Sequence, residues 1–171
     1  MQKLENSAKN NPDYWPEVFQ AAYELKQAEL LRTAAGKALA LRPANPVFVN
    51  NYAAALLILR ERPEEAIKHT LQLVSQYPDS MVTRINHAVA LVQNGRTQEA
   101  EAILAKVDAG RLSARELASF YLAWFEVYFN LGQYDRASQA KVRVDSQYLF
   151  PAQIQWLEEM QRKIRARAGA P

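Results

Sequence analysis

The feature that most constrains the fold of this sequence is a short pattern that recurs at a nearly constant interval. A turn, a polar or acidic pair and an alanine occur together three times, and the alanines are Ala66, Ala100 and Ala137. The first two alanines are 34 residues apart and the last two are 37 apart. Pro43 and Pro78 are 35 residues apart, and each follows a helical apolar pattern. A period of roughly 20–50 residues is the signature of repeat architectures, whose units are stabilised by their neighbours.

The stretches between these markers have helical spacing. Apolar residues recur there at intervals of three and four, which is the spacing of one face of an α-helix. Asp79 or Ser80 is predicted to cap the start of one helix, and Asn94-Gly95 to end it. Glycine is scarce, at 5 residues, which favours helices over turns and strands. Each unit is therefore predicted to be two helices of roughly 12–16 residues joined by a short turn, an antiparallel hairpin.

This pattern resembles the tetratricopeptide repeat, a helix–turn–helix unit of about 34 residues with small residues where its helices touch. Bulky Trp124 and Phe125 lie near the expected small site of the third repeat, so the register of that repeat stays open. The matching residues are Ala53 and Ala88 in the first helices, Ala66, Ala100 and Ala137 in the second helices, Gly95 and Gly132 in the turns, and Pro43 and Pro78 at the ends.

The resemblance implies one all-α domain over 1–171, a right-handed α-solenoid of about four antiparallel helix hairpins. A last helix with an apolar stripe is expected to act as a C-terminal cap, which a stacked repeat needs for solubility. The start of the chain looks like the end of another repeat, which predicts that the domain was cut from a longer bacterial protein. The expected boundaries are 1–11 (tail of a preceding repeat), 12–45 (degenerate repeat), 46–80 and 81–114 (repeats), 115–150 (divergent repeat) and 151–168 (capping helix).

The sequence offers no constellation typical of an enzyme, so we expect no catalytic residues, no cofactor and no metal. Cysteine is absent, which excludes disulfides and thiolate chemistry. His69 and His87 are 18 residues apart, and neither has a partner at the spacing of a helical zinc site. Glu64 and Glu65 fall in the first turn of a predicted helix, where their charges complement the helix dipole.

In proteins with this repeat, the first helices line a concave groove that accepts an extended peptide or a helix of a partner. The groove is predicted to be neutral, amide-rich and partly apolar, and it lacks the cations of a two-carboxylate clamp. Asn51 and Asn86 are equivalent, so they either form an amide ladder that reads peptide backbone or bond locally within their own repeats. The residues predicted to contact a partner are Gln20, Tyr23, Asn50, Asn51, Asn86, Val89, Gln93 and Glu126.

Several alternatives stay open. The domain could instead be a structural spacer or form a homodimer, and the aromatic residues of 120–129 could be core or a partner surface. The basic residues of 162–167 could contact nucleic acid, although the helix dipole and solubility explain them better. No run of apolar residues is long enough to span a membrane, and the N-terminus has no apolar signal core. The compartment is therefore open: the cytoplasm is favoured, or the periplasm if the domain comes from a longer chain.

Overall fold

The computed structural model describes residue 11 and residues 13–168, so the predicted repeat tail over 1–11 lies outside the described residues except for its last position. In this part of the chain the fold is all-helical and has no β-strand. Two short 3₁₀ turns, Ala109–Arg111 and Ser146–Tyr148, connect longer helices. The α-helices are α1 (Tyr14–Glu24), α2 (Ala28–Leu41), α3 (Pro46–Leu59), α4 (Pro63–Gln76), α5 (Met81–Gln93), α6 (Thr97–Leu104), α7 (Ala114–Asn130), α8 (Tyr134–Val142) and α9 (Pro151–Ala168).

Side-chain caps fix the starts of α3, α5 and α7. The Asn45 side chain accepts a hydrogen bond from the amide of Val47. Ser80 caps α5, as predicted, by accepting from the amide of Thr83. Ser113 and Glu116 form a reciprocal capping box at the start of α7. Each cap satisfies an amide that a helix would otherwise leave without a partner.

The same backbone turn joins α1 to α2, α3 to α4, α5 to α6 and α7 to α8. In each turn the residue that ends the first helix pattern has a left-handed backbone, and the next amide donates to the carbonyl five residues earlier, as Arg96 does to Leu91. This bond closes the helix end and reverses the chain direction. These left-handed residues are Lys26 (φ 56°), Arg60 (φ 57°), Gly95 (φ 76°) and Gly132 (φ 73°), and the turn from α3 to α4 has a second one, Arg62 (φ 44°).

Consecutive helices pack against each other, and α3 and α5 also pack on the next helix but one. Ala53 and Ala88, each seven residues before its left-handed residue, are fully buried where helices approach closely. Phe125 occupies the same position before Gly132 and is also fully buried. The pair α7–α8 therefore has a phenylalanine where α3 and α5 have alanine, and Trp156 packs on its ring with centroids 5.8 Å apart.

The aromatic residues of α7 belong largely to the core. Phe120 and Phe125 are buried, and Tyr121, Trp124, Tyr128 and Phe129 are half-buried and pack against core clusters. Core packing, rather than an exposed aromatic surface, is what the structure supports for this cluster. No helix among the described residues is sufficiently long and apolar to cross a bilayer.

The last helix, α9, packs on the two helices before it and also contacts α3. Its predicted apolar stripe is present, since Leu157 and Met160 are buried among residues of α7 and α8. However, α9 also contacts α3, which lies far from it in the chain. The segment 146–156, here called the return segment, leads into this contact. It places the C-terminal part of the chain beside the earliest helix pairs.

Candidate functional site

The first helices of the four pairs, α1, α3, α5 and α7, surround a cavity of about 380 Å³, and the return segment forms part of its wall. This volume lies within the range of about 300–1,000 Å³ that ligand pockets have. The predicted partner-contacting residues all line it. These residues are Gln20, Tyr23, Asn50, Asn51, Asn86, Val89, Gln93 and Glu126.

Residues from four separate helices line one cavity because an equivalent position of each first helix faces it. The residue six places before each left-handed turn residue lines the cavity in all four pairs. Because the turns share one geometry, the same face of each first helix is presented to the same space. These four residues are Gln20, Ala54, Val89 and Glu126.

Amide side chains form the polar part of the cavity wall. The Nδ2 of Asn86 donates to the Oδ1 of Asn50 over 3.0 Å, which links α5 to α3. The predicted ladder partner Asn51 makes no side-chain hydrogen bond with the described residues, so the rung joins Asn86 to Asn50 instead. Gln93 donates to the carbonyl of Leu57 over 3.2 Å, while its Oε1 is buried and has no hydrogen-bond partner among the described residues.

Glu126 lines the cavity, but its carboxylate is already engaged. It is only 4% exposed, and both terminal nitrogens of Arg60 donate to it, one over 3.0 Å. The guanidinium of Arg60 also lies over the ring of Trp156, 4.2 Å from its centre. The arginine thus ties the turn after α3 to α7 and to the return segment. No local pattern predicts this pair, because its members are 66 residues apart.

The return segment closes one side of the groove that the sequence predicts to be open. Phe150 is 1% exposed and belongs to the apolar cluster of α1, α2 and α3. Its ring meets the edge of Tyr23, with centroids 5.2 Å apart. Trp156 adds the contacts with Arg60 and Phe125. The predicted groove is therefore a partly enclosed cavity, and its boundary on this side is the chain's own C-terminal part.

Two cations that sequence reasoning missed approach the ring of Tyr23. Arg115 lines the cavity, whereas Lys26 does not line it but lies against the lining residues Tyr23 and Phe150. The guanidinium of Arg115 is 4.7 Å from the centre of the Tyr23 ring, and the ammonium of Lys26 is 5.4 Å from it. Burial lowers the pKa of Lys26, and the nearby charge of Arg115 lowers it further. Burial raises the pKa of Tyr23, against the opposing effect of Arg115. The charged side chains that line the cavity are Arg60, Arg115, Glu116 and Glu126, two of each sign.

The histidines have structural surroundings. The Nδ1 of His87 is 3.0 Å from the hydroxyl of Thr70, and both side chains are buried. Burial lowers the pKa of His87, and the charge of Arg96 acts in the same direction. His69 meets the ring of Tyr52 edge-on, with centroids 5.7 Å apart. Within residue 11 and residues 13–168, no group of three or more histidine, aspartate or glutamate side chains could hold a metal ion.

The basic residues of α9 are partly engaged within the helix and its neighbour. Lys163 pairs with Glu159 over 2.8 Å, and the guanidinium of Arg167 lies 5.2 Å from the centre of the Tyr134 ring. These contacts agree with the structural interpretation of the basic stretch. Contact with nucleic acid stays an alternative prediction.

A comparison with protein-family models finds no match, and comparisons with curated proteins and with solved structures find none either. The function must therefore be inferred from the cavity itself.

Proposed function

We propose that this chain is a protein-interaction module that binds an extended segment of a partner protein in the cavity. The scaffold would be a right-handed solenoid of tetratricopeptide-type hairpins, with α9 as its terminal cap. Four turns with one shared backbone hydrogen-bond pattern support this scaffold. The convergence of equivalent positions on one cavity supports its use as a binding face.

The observation that carries the proposal is the row of amide side chains in the cavity wall, Asn50, Asn51, Asn86 and Gln93, which come from two neighbouring first helices. Peptide backbone carries one donor and one acceptor per residue. The amide of Asn51, which has no internal hydrogen bond, can meet the same backbone with either its oxygen or its nitrogen.

The apolar part of the wall favours an extended peptide over a purely polar ligand. Phe19, Leu57 and Val89 line the cavity beside the amides. An extended chain points successive side chains to opposite sides, so its backbone can meet amides while alternate side chains contact apolar wall. Amide groups that bond to backbone would give affinity, and the apolar wall would give selectivity.

The test is selection of a displayed library of random peptides on the whole chain, followed by affinity measurement of the selected peptides. Val89→Trp places a large ring in the cavity and should weaken binding at least about tenfold, since the bound segment needs that space. Leu71→Trp is the matched control, because Leu71 is 53% exposed and lies outside the cavity wall.

Asn51→Ala should also weaken binding without loss of stability, because it breaks no internal hydrogen bond. If selected peptides bind the Val89→Trp chain as well as they bind the native chain, the site is elsewhere. If selection returns no peptide, the structural-spacer alternative replaces the proposal.

A further inference from the structure

Resting on the proposed function, we propose that the bound segment carries an aspartate or glutamate whose carboxylate is held by Arg115 and Lys26 beside the ring of Tyr23. The fold brings these two cations together from distant parts of the chain. Lys26 is the left-handed residue of the turn after α1, and Arg115 lies in the first turn of α7. Both approach the ring of Tyr23, which lines the cavity.

Neither cation has an acidic partner in the described chain. No carboxylate of residue 11 or residues 13–168 forms an ion pair with Lys26 or Arg115. The nearby carboxylates have other partners. Glu116 accepts from the amide of Ser113 over 2.7 Å, Glu126 is held by Arg60, and Glu24 accepts from Gln20 over 2.8 Å. Among the described residues these two charges therefore meet aromatic rings but no carboxylate.

The two cations lie close enough for their like charges to oppose each other. The two side chains carry like charges, and the pKa of Lys26 is lowered by burial and by Arg115. A carboxylate beside them would oppose both effects, because an opposite charge favours the charged form of an ammonium group. Lys26 also adopts the backbone that glycine provides in the turns at Gly95 and Gly132, so the turn presents this side chain at a conformational cost.

The position of the pair favours a side-chain carboxylate over a chain end. Arg115 is exposed and lines the cavity, so its guanidinium lies where the cavity meets solvent, and the half-buried Lys26 lies beside the same tyrosine ring. A peptide can continue past this point in both directions while its backbone follows the amides of the wall. A guanidinium and an ammonium together can hold one carboxylate through charge-assisted hydrogen bonds.

The experiment uses the peptides selected on the whole chain, synthesised with both ends blocked, and fluorescence anisotropy as the readout. Each acidic residue is replaced in turn by its amide, Asp by Asn or Glu by Gln. For one position the replacement should weaken binding to the native chain about tenfold or more. On the Lys26→Gln, Arg115→Gln chain, the acidic and amide peptides should bind alike. The control chain Lys106→Gln, Arg111→Gln removes the same charge at exposed residues outside the cavity wall and should keep the difference.

The possible failures are distinguishable. Peptides that lose binding to Val89→Trp but show no acid-to-amide difference would overturn the acidic-segment inference and leave the proposed function intact. A preference that appears only with a free C-terminal carboxylate would also overturn it. Failure to select any peptide, or binding that ignores Val89→Trp, would overturn the proposed function and this inference together.

Discussion

At the residue scale, Arg60 connects three parts of the molecule. It takes the left-handed backbone that ends α3, neutralises the buried carboxylate of Glu126, and covers the ring of Trp156. A buried carboxylate is costly without its cation, because the charge has neither water nor a counter-ion. Breaking the ion pair between Arg60 and Glu126 is therefore expected to cost more free energy than the attraction within the pair contributes to stability.

Arg60→Ala should lower the free energy of unfolding by about 2–3 kcal/mol, below the usual loss for a fully buried pair because Arg60 is partly exposed. Urea denaturation followed by circular dichroism measures the change. The control is Arg96→Ala, which breaks the exposed ion pair with Glu99 and should leave the unfolding midpoint essentially unchanged. Equal effects of the two substitutions would show that Glu126 does not depend on Arg60.

His87 gives a pH dependence with a definite sign. Its pKa in the folded chain lies below the ordinary value of 6.5, first because of burial and then because of Arg96. The unfolded chain therefore binds the proton more readily, so stability is full above pH 6.5 and falls as the pH drops through that value toward the folded pKa. The urea concentration at the unfolding midpoint should therefore decrease as the pH is lowered from 7.5 to about 5. His87→Gln should flatten this decrease, and an unchanged slope would mean that other groups cause it.

The residues of the cavity wall could be predicted because a fixed period places equivalent side chains on one face. Asn50, Asn51 and Asn86 were found in this way. Lys26 was not, because it lies in a connection, where helical spacing gives no direction. Arg115 was also missed, although it shares a helical face with Ser119 and Glu126 and its spacing could have indicated it. The unpaired side-chain oxygen of Gln93 could not be predicted either, because the hydrogen bonds that Gln93 makes depend on the distance between α3 and α5 in the folded chain.

At the element scale, the return segment decides the shape of the site. The stripe Ile154, Leu157, Met160 and Ile164 correctly predicted a last amphipathic helix, which packs on α7 and α8. Its contact with α3 could not be predicted, because residues 144–150 have no helical period to show where the chain turns. Phe150, which is 1% exposed and packs with residues of α1, α2 and α3, is one apolar residue in a short connection.

Phe150→Ala should destabilise the chain by about 3 kcal/mol or more, the usual cost of removing a fully buried phenylalanine side chain. Thermal and urea denaturation measure it. Phe150→Leu keeps most of the apolar volume and should cost clearly less, which keeps the test readable if the alanine variant fails to fold. Val142→Ala removes a side chain that is 83% exposed and should change stability little. Equal stability of the two alanine variants would contradict the packing described for the return segment.

At the scale of the whole molecule, closure by the return segment should make unfolding cooperative. Stacked repeats can unfold in parts, because each contacts only its neighbours. Here α9 and the return segment connect α1 and α3 with α7. Tryptophans lie in α1, α7 and α9, at Trp15, Trp124 and Trp156. Tryptophan fluorescence and circular dichroism should therefore report one coincident urea transition. Two separated transitions would show that the closing contacts do not couple the pairs.

The measurement that tests the central claim most directly is a ¹⁵N-correlated NMR titration of the whole chain with a library-selected peptide. We predict shifts in the side-chain amide signals of Asn51, Gln93, Asn50 and Asn86, together with the backbone amides of the same helix faces in α3 and α5. The signals of exposed residues on α4, including Leu71, should stay in place. Shifts confined to α4 or to the basic residues of α9, with the cavity amides unchanged, would contradict binding in the cavity.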